Sequence, residues 1–131
     1  KNFNLMGGGD TQFFIEVKSF GFNILWCDEA ITYEFISKKR SDFKNCLISS
    51  FYKGNASFYI FKFQNGFIHA LCKSITNFII LFFEIFRFII FLILFNKLKY
   101  YKISKKMMGL LGFVIATFNY KNKKYKNIFG I

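Results

Sequence analysis

Few residues in this chain carry chemistry of their own, and their spacing decides most of what they can do. Cys27, Cys46 and Cys72 are three widely separated thiols with no Cys-x-x-Cys and only His69 as a further ligand. Zinc takes about four ligands held close together, so these residues predict no metal site. Unpaired thiols suit a reducing compartment, which favours the cytosolic side. Asn55-Ala56-Ser57 has the form of a glycosylation sequon, relevant only in a lumenal segment, and is read as chance. Glu84 and Arg87 lie three apart within an apolar run, hence on one helix face where they can pair. Such a pair either lines a substrate path or fixes how the helix docks, and docking is the simpler role. Asp10 follows Gly7-Gly8-Gly9, a carboxylate after a flexible loop, where it can cap a helix.

The elements that must position these residues differ between the two ends of the chain. Of 131 residues, 53% are hydrophobic, and Phe alone occurs 22 times, which excludes a disordered tail. The length allows one ordinary domain with an appendage. Up to Ile36 the net charge is −3, and from Ser37 onward it is +15. A basic, apolar back half is drawn to nucleic acid or to an anionic membrane surface, and its long apolar run favours the membrane. A soluble nucleic-acid binder with that run exposed would aggregate.

In the front half, Phe13, Phe14, Val17 and Phe20 form one apolar face of a short helix that Gly21 can end. Residues 22–26 and 30–35 read as strands around an Asp28-Glu29 turn. Loop, helix, strand, turn, strand is the grammar of the edge of an α/β domain, whose remainder is expected before Lys1. Trp26 and the Phe cluster read as its core, with Glu29 and Glu34 as loop and strand-end residues. After the basic loop Lys38-Lys39-Arg40, residues 43–59 read as a helix broken at Gly54-Asn55.

Residues 75–95 are the apolar maximum, about 20 residues, the length that crosses a ~30 Å hydrocarbon core. A charge at the membrane centre costs roughly 2.5–3.5 kcal/mol, so Glu84 and Arg87 should pair and face protein. Lysines follow at 97, 99, 102, 105 and 106, then a short apolar stretch to Phe118, then Lys121, Lys123, Lys124 and Lys126. Basic flanks on both sides of one helix do not fit a single straight crossing. A re-entrant hairpin, an interfacial helix and a two-span hairpin with a short second member all remain open. Lysines interleaved with Tyr and Phe suit contact with anionic lipid.

With the whole chain read, its first 55 residues resemble glycosyltransferase family 2. Gly7-Gly8-Gly9-Asp10-Thr11-Gln12-Phe13-Phe14, then Gly21-Phe22 and the run from Ile24 through Trp26-Cys27-Asp28-Glu29-Ala30 to Tyr33-Glu34, look like the late catalytic region of bacterial enzymes that build envelope glycans and exopolysaccharide. The pieces occur in order and at close spacing over about 40% of the chain. Gly9 and Gln12 stand where the family usually has acidic residues. Residues 43–55 keep the closing Gly54-Asn55 and a basic Lys53 but place Asn45, Ser49 and Ser50 where bulky or cationic residues are usual.

The resemblance implies a fold and an activity. The fold is an α/β fragment, the C-terminal edge of a GT-A-type nucleotide-sugar transferase domain over residues 1–60, followed by basic, membrane-associated helices over 61–131. The activity is inverting transfer of a sugar from a nucleotide-sugar donor to a hydroxyl of a glycan or lipid-linked acceptor. Asp10 matches the family's general base, which takes the acceptor proton as the oxygen attacks the anomeric carbon. Gly8 and Gly9 would let backbone approach the sugar without Cβ interference, and Lys53 is the residue placed for a donor phosphate. Mg²⁺ or Mn²⁺ belongs to the full-length enzyme, its Asp-x-Asp ligands and nucleotide-binding half lying outside these residues, so this stretch alone is expected to be inactive. The expected partners are a nucleotide sugar, the acceptor and anionic lipid, not nucleic acid. The expected place is the membrane, with the catalytic part on its cytoplasmic side. The alternative is a small, basic, non-enzymatic membrane protein or a gene remnant.

Overall fold

The computed structural model describes residues 9–35, 37–94 and 97–121. Its helices are α1 Gly9–Ser19, α2 Lys38–Ser41, α3 Phe43–Ile93 and α4 Lys97–Ala116. In α1, Asp10 in the first turn and Lys18 in the last complement the helix dipole. The helix stops where the sequence predicts. Gly21 takes φ +83°, its N–H donates to the Lys18 carbonyl at 3.0 Å, and the Phe22 N–H reaches back to the Val17 carbonyl at 3.3 Å. Those two bonds are the Schellman pair that satisfies the last turn of a helix.

Beyond Gly21 the expected α/β edge is not formed. There is no strand among the described residues, and the fold is helical. A strand is held by a neighbour's hydrogen-bond ladder, and neither 22–26 nor 30–35 finds one among the described residues. The turn between them closes on itself instead. The Ala30 N–H donates to the Cys27 carbonyl and the Ile31 N–H to the Glu29 carbonyl, while the Trp26 indole N–H donates to Asp28 Oδ1 at 2.6 Å. Trp26 is 89% exposed and Tyr33 96%, so the aromatics of this segment are not the core that their composition suggests.

The core lies in α3 and α4. The first part of α3 runs alongside α4 in the same direction. Phe43 stacks near Tyr100 and Tyr101, and Phe58 meets Phe113 edge to face with centroids 5.3 Å apart. The later part of α3 runs the opposite way. Ser74 bonds Thr117, Glu84 meets Lys106, and Phe88 packs on Tyr100. The chain therefore reverses within α3, and it does so at Gly66, whose φ of 83° and ψ of 169° are not helical. That backbone region is essentially glycine's alone. The result is an up-down-up bundle made of the arm over 43–65, the arm over 67–93, and α4. Phe58, Ala70, Phe113 and Ala116 seal its Gly66 end.

The helix break expected at Gly54-Asn55 is thus found twelve residues later in the chain, at Gly66. Gly54 serves a different purpose. A Cβ there would run into the carbonyl of Gly109, and one on Gly112 would strike the carbonyl of Phe51. These glycines let two helix backbones touch, as small residues do where helices cross closely.

Candidate functional site

The sequence-predicted site residues fall into two separate places. Asp10 is exposed in the first turn of α1. Gly9 opens the same helix, and a Cβ on it would meet nothing within 4 Å, so the backbone there is open to an approaching ligand. Gly8 lies outside the described residues. Lys53 is exposed on the first arm of α3. The extended packing among the described residues is between α3 and α4, with α2 against α3, and α1 makes no contact of that extent with them. Asp10 and Lys53 are therefore not brought together by the described chain.

Around Asp10 the sequence offers no second carboxylate in its own turn. Gln12 instead turns inward, is buried, and donates from Nε2 to Glu16 Oε1 at 2.9 Å. No three His, Cys, Asp or Glu residues come together among the described residues. A divalent cation needs several oxygen ligands at once, and the donor set present here does not supply them. Further along, the backbone amide and the Cys27 thiol hold the Glu29 carboxyl below its usual range, local bonds that keep this exposed loop acid ionised. Asn55, of the apparent sequon, is 1% exposed and donates from Nδ2 to the Tyr120 carbonyl at 2.9 Å. Its amide ties the first arm to the segment that follows α4 and is not presented to a modifying enzyme.

The second place is the arm over 67–93, and it is built inside out. Its inward stripe, every third or fourth residue, is Ala70, Ser74, Asn77, Leu81 and Glu84, all buried. Three of these five side chains are polar. Its outward positions include Ile75, Phe78, Phe82, Phe83 and Phe86, all more than half exposed. In water this arrangement would be inverted, since burial favours apolar side chains. In lipid it is the expected one, because polar groups turn to the bundle interior and find partners there. They do so here. Ser74 Oγ and Thr117 Oγ1 are 2.7 Å apart. Glu84, 3% exposed, takes Lys106 Nζ at 2.7 Å and Arg87 Nη1 at 2.9 Å on the same oxygen, Oε1.

The Glu84–Arg87 pair forms as the spacing predicts, within α3 itself, and the link to a second helix comes from Lys106. Its third member, Lys106 of α4, was not predicted. The polar stripe was legible in the recurrence of Ser74, Asn77 and Glu84 at steps of three and seven, but a search for apolar faces passes over it.

α3 is long and apolar enough to cross a membrane. No family model, curated protein or solved structure matches the chain.

Proposed function

We propose that this chain is the membrane-seated C-terminal part of an inverting glycosyltransferase, with Asp10 as the general base that deprotonates an acceptor hydroxyl. The observation that carries the reading is local. The ordered motif residues open and close a real helix, with Asp10 exposed in its first turn and Gly9 leaving open space beside it. The dipole at that position favours the ionised carboxylate a base requires. The inside-out arm of α3 supports the other half of the proposal, a bundle held in lipid close to a lipid-linked or envelope-glycan acceptor. The nucleotide-sugar pocket, and the Mg²⁺ or Mn²⁺ ligands, belong to the rest of the enzyme. The basic run Lys38-Lys39-Arg40 ahead of α3 supports a cytoplasmic side for the preceding segment by the positive-inside tendency.

A second reading has its own observation. α1 makes no extended contact with the bundle among the described residues, so the helices alone would carry the function, as in a small, basic, non-enzymatic membrane protein. One experiment separates the two. In the full-length protein, nucleotide release from UDP- and GDP-sugars is measured with membrane lipid as acceptor source, for the natural chain and for Asp10→Asn. A drop of about 10²–10⁴-fold with unchanged helix content supports the base. Unchanged transfer sinks the Asp10 assignment, and no transfer by either form, with membrane binding retained, favours the second reading.

A further inference from the structure

Among the described residues, most of the outward apolar face of the bundle lies on the 67–93 arm of α3. On the arm over 43–65, no large hydrophobic side chain is exposed between Phe43 and Phe63, while Lys44 and Lys53 are exposed. On the first half of α4, Lys99, Lys102 and Lys106 are exposed beside Leu98. The contacts between helices fix the depth of these cations. Glu84 meets Lys106 and Phe88 meets Tyr100, so Lys102 lies in the layer of 84–88. Lys44 follows Phe43, which stacks on Tyr100, and Lys53 precedes Gly54, which abuts Gly109. Both lysines thus share the layer occupied by Phe82, Phe83 and Phe86 on the opposite side.

A bilayer set across the bundle would place all these cations inside its hydrocarbon, each at a penalty of roughly a hundredfold in partitioning. A bilayer set along it meets the apolar arm on one side and leaves these cations outside its hydrocarbon. Cations also border that arm. Lys99 Nζ lies 5.0 Å from the Phe91 ring centre, and Arg87 and Lys106, each about half exposed, close on Glu84. We infer that the 67–93 arm of α3 is a docking surface for an anionic bilayer, lying in its plane. Its phenylalanines and isoleucines sink into the acyl boundary, and the bordering cations meet lipid phosphates. Helices with an apolar face and a basic polar face lie in the interface in this way, and each surface lysine adds attraction to anionic headgroups. The inference rests on the membrane-seated reading above and adds how the chain sits there.

The test uses the full chain with Cys27, Cys46 and Cys72 changed to Ser and a single thiol at Gln64→Cys or Leu98→Cys, at opposite ends of the bundle. Each protein is mixed with preformed vesicles of phosphatidylcholine, with or without phosphatidylglycerol. Recovery by flotation is measured, then labelling by an impermeant maleimide added outside. The expected result is salt-sensitive recovery with phosphatidylglycerol vesicles and outside labelling of both thiols. Lys99→Gln with Lys102→Gln should weaken partitioning about thirtyfold, at unchanged helix content. A thiol reached only after detergent lysis, with flotation intact, overturns the in-plane placement alone. Equal recovery on phosphatidylcholine overturns the anionic preference. No flotation, with a soluble dimer that seals the apolar faces, overturns the membrane reading itself.

Discussion

At the scale of single residues, the bundle depends on side chains that are small or charged rather than large and apolar. Glu84 holds two cations on one buried oxygen, while its other oxygen, also buried, has no hydrogen-bond partner among the described residues. A neutral replacement keeps the shape and removes the charge. Breaking a buried pair can cost about 3–5 kcal/mol, but Arg87 and Lys106 are half exposed and can re-solvate. Glu84→Gln should therefore destabilise the helical fold by about 1–3 kcal/mol, read from denaturant unfolding in micelles by circular dichroism, and a loss below the error of that curve would mean the cluster is not a clasp. Gly54 acts by absence. Gly54→Ala forces the α3 and α4 backbones apart at Gly109 and should cost about 1–3 kcal/mol. Gly9→Ala meets open space and should stay within about 0.5 kcal/mol of the natural chain. Equal effects from the two alanines would contradict the close crossing.

At the scale of elements, the decisive position is Gly66. Alanine there must adopt φ near +83° and ψ near 169°, a region that costs an L residue about 1–3 kcal/mol. Gly66→Ala should destabilise the bundle by that amount, and a distance probe between the two arms of α3 should show them splaying as the strain is relieved. A variant as stable as the parent with its arms still together would disprove the tight reversal. The same glycine shows where the sequence was legible and where it was not. α1 could be read from its ends, because Asp10 and Gly21 act through neighbouring residues alone. The reversal could not be read that way. Gly54-Asn55 and Gly66 look alike as breakers, and only the approach of α4, about fifty residues away, makes one a contact and the other a turn. The strands failed for a related reason. Ile, Tyr and Trp favour strand, but strand propensity is realised only against a partner, and 22–35 meets none among the described residues. Of the candidate site, the Glu84–Arg87 pair was visible because three-residue spacing is local, whereas Lys106 joins it only through the fold.

At the scale of the whole molecule, charge and exposure divide the chain into two bodies of opposite preference. The bundle is basic and carries its apolar surface on one helix arm. The segment over 20–35 also exposes Phe20, Leu25, Trp26, Tyr33 and Phe35, yet it carries Asp28, Glu29 and Glu34 and no cation. Apolar exposure alone would send both to lipid. On an anionic surface the three carboxylates oppose the aromatics, and Glu29, whose carboxyl is held below its usual range, stays ionised as the pH falls toward that of a free acid. The sign follows directly. Repulsion persists at neutral pH, and the share carried by Glu29 is lost only once the pH falls below the usual range of a carboxylate. Trp26 is the chain's single tryptophan, so its fluorescence reports this segment without labelling. Phosphatidylglycerol vesicles added at neutral pH should leave its emission red and its quenching by acrylamide nearly unchanged, even as flotation shows the chain bound. Acidification should then shift the emission to the blue. An immediate blue shift at neutral pH would mean that the aromatic segment enters the membrane with the bundle, and α1 with Asp10 would be pulled down to the lipid rather than held in water above it.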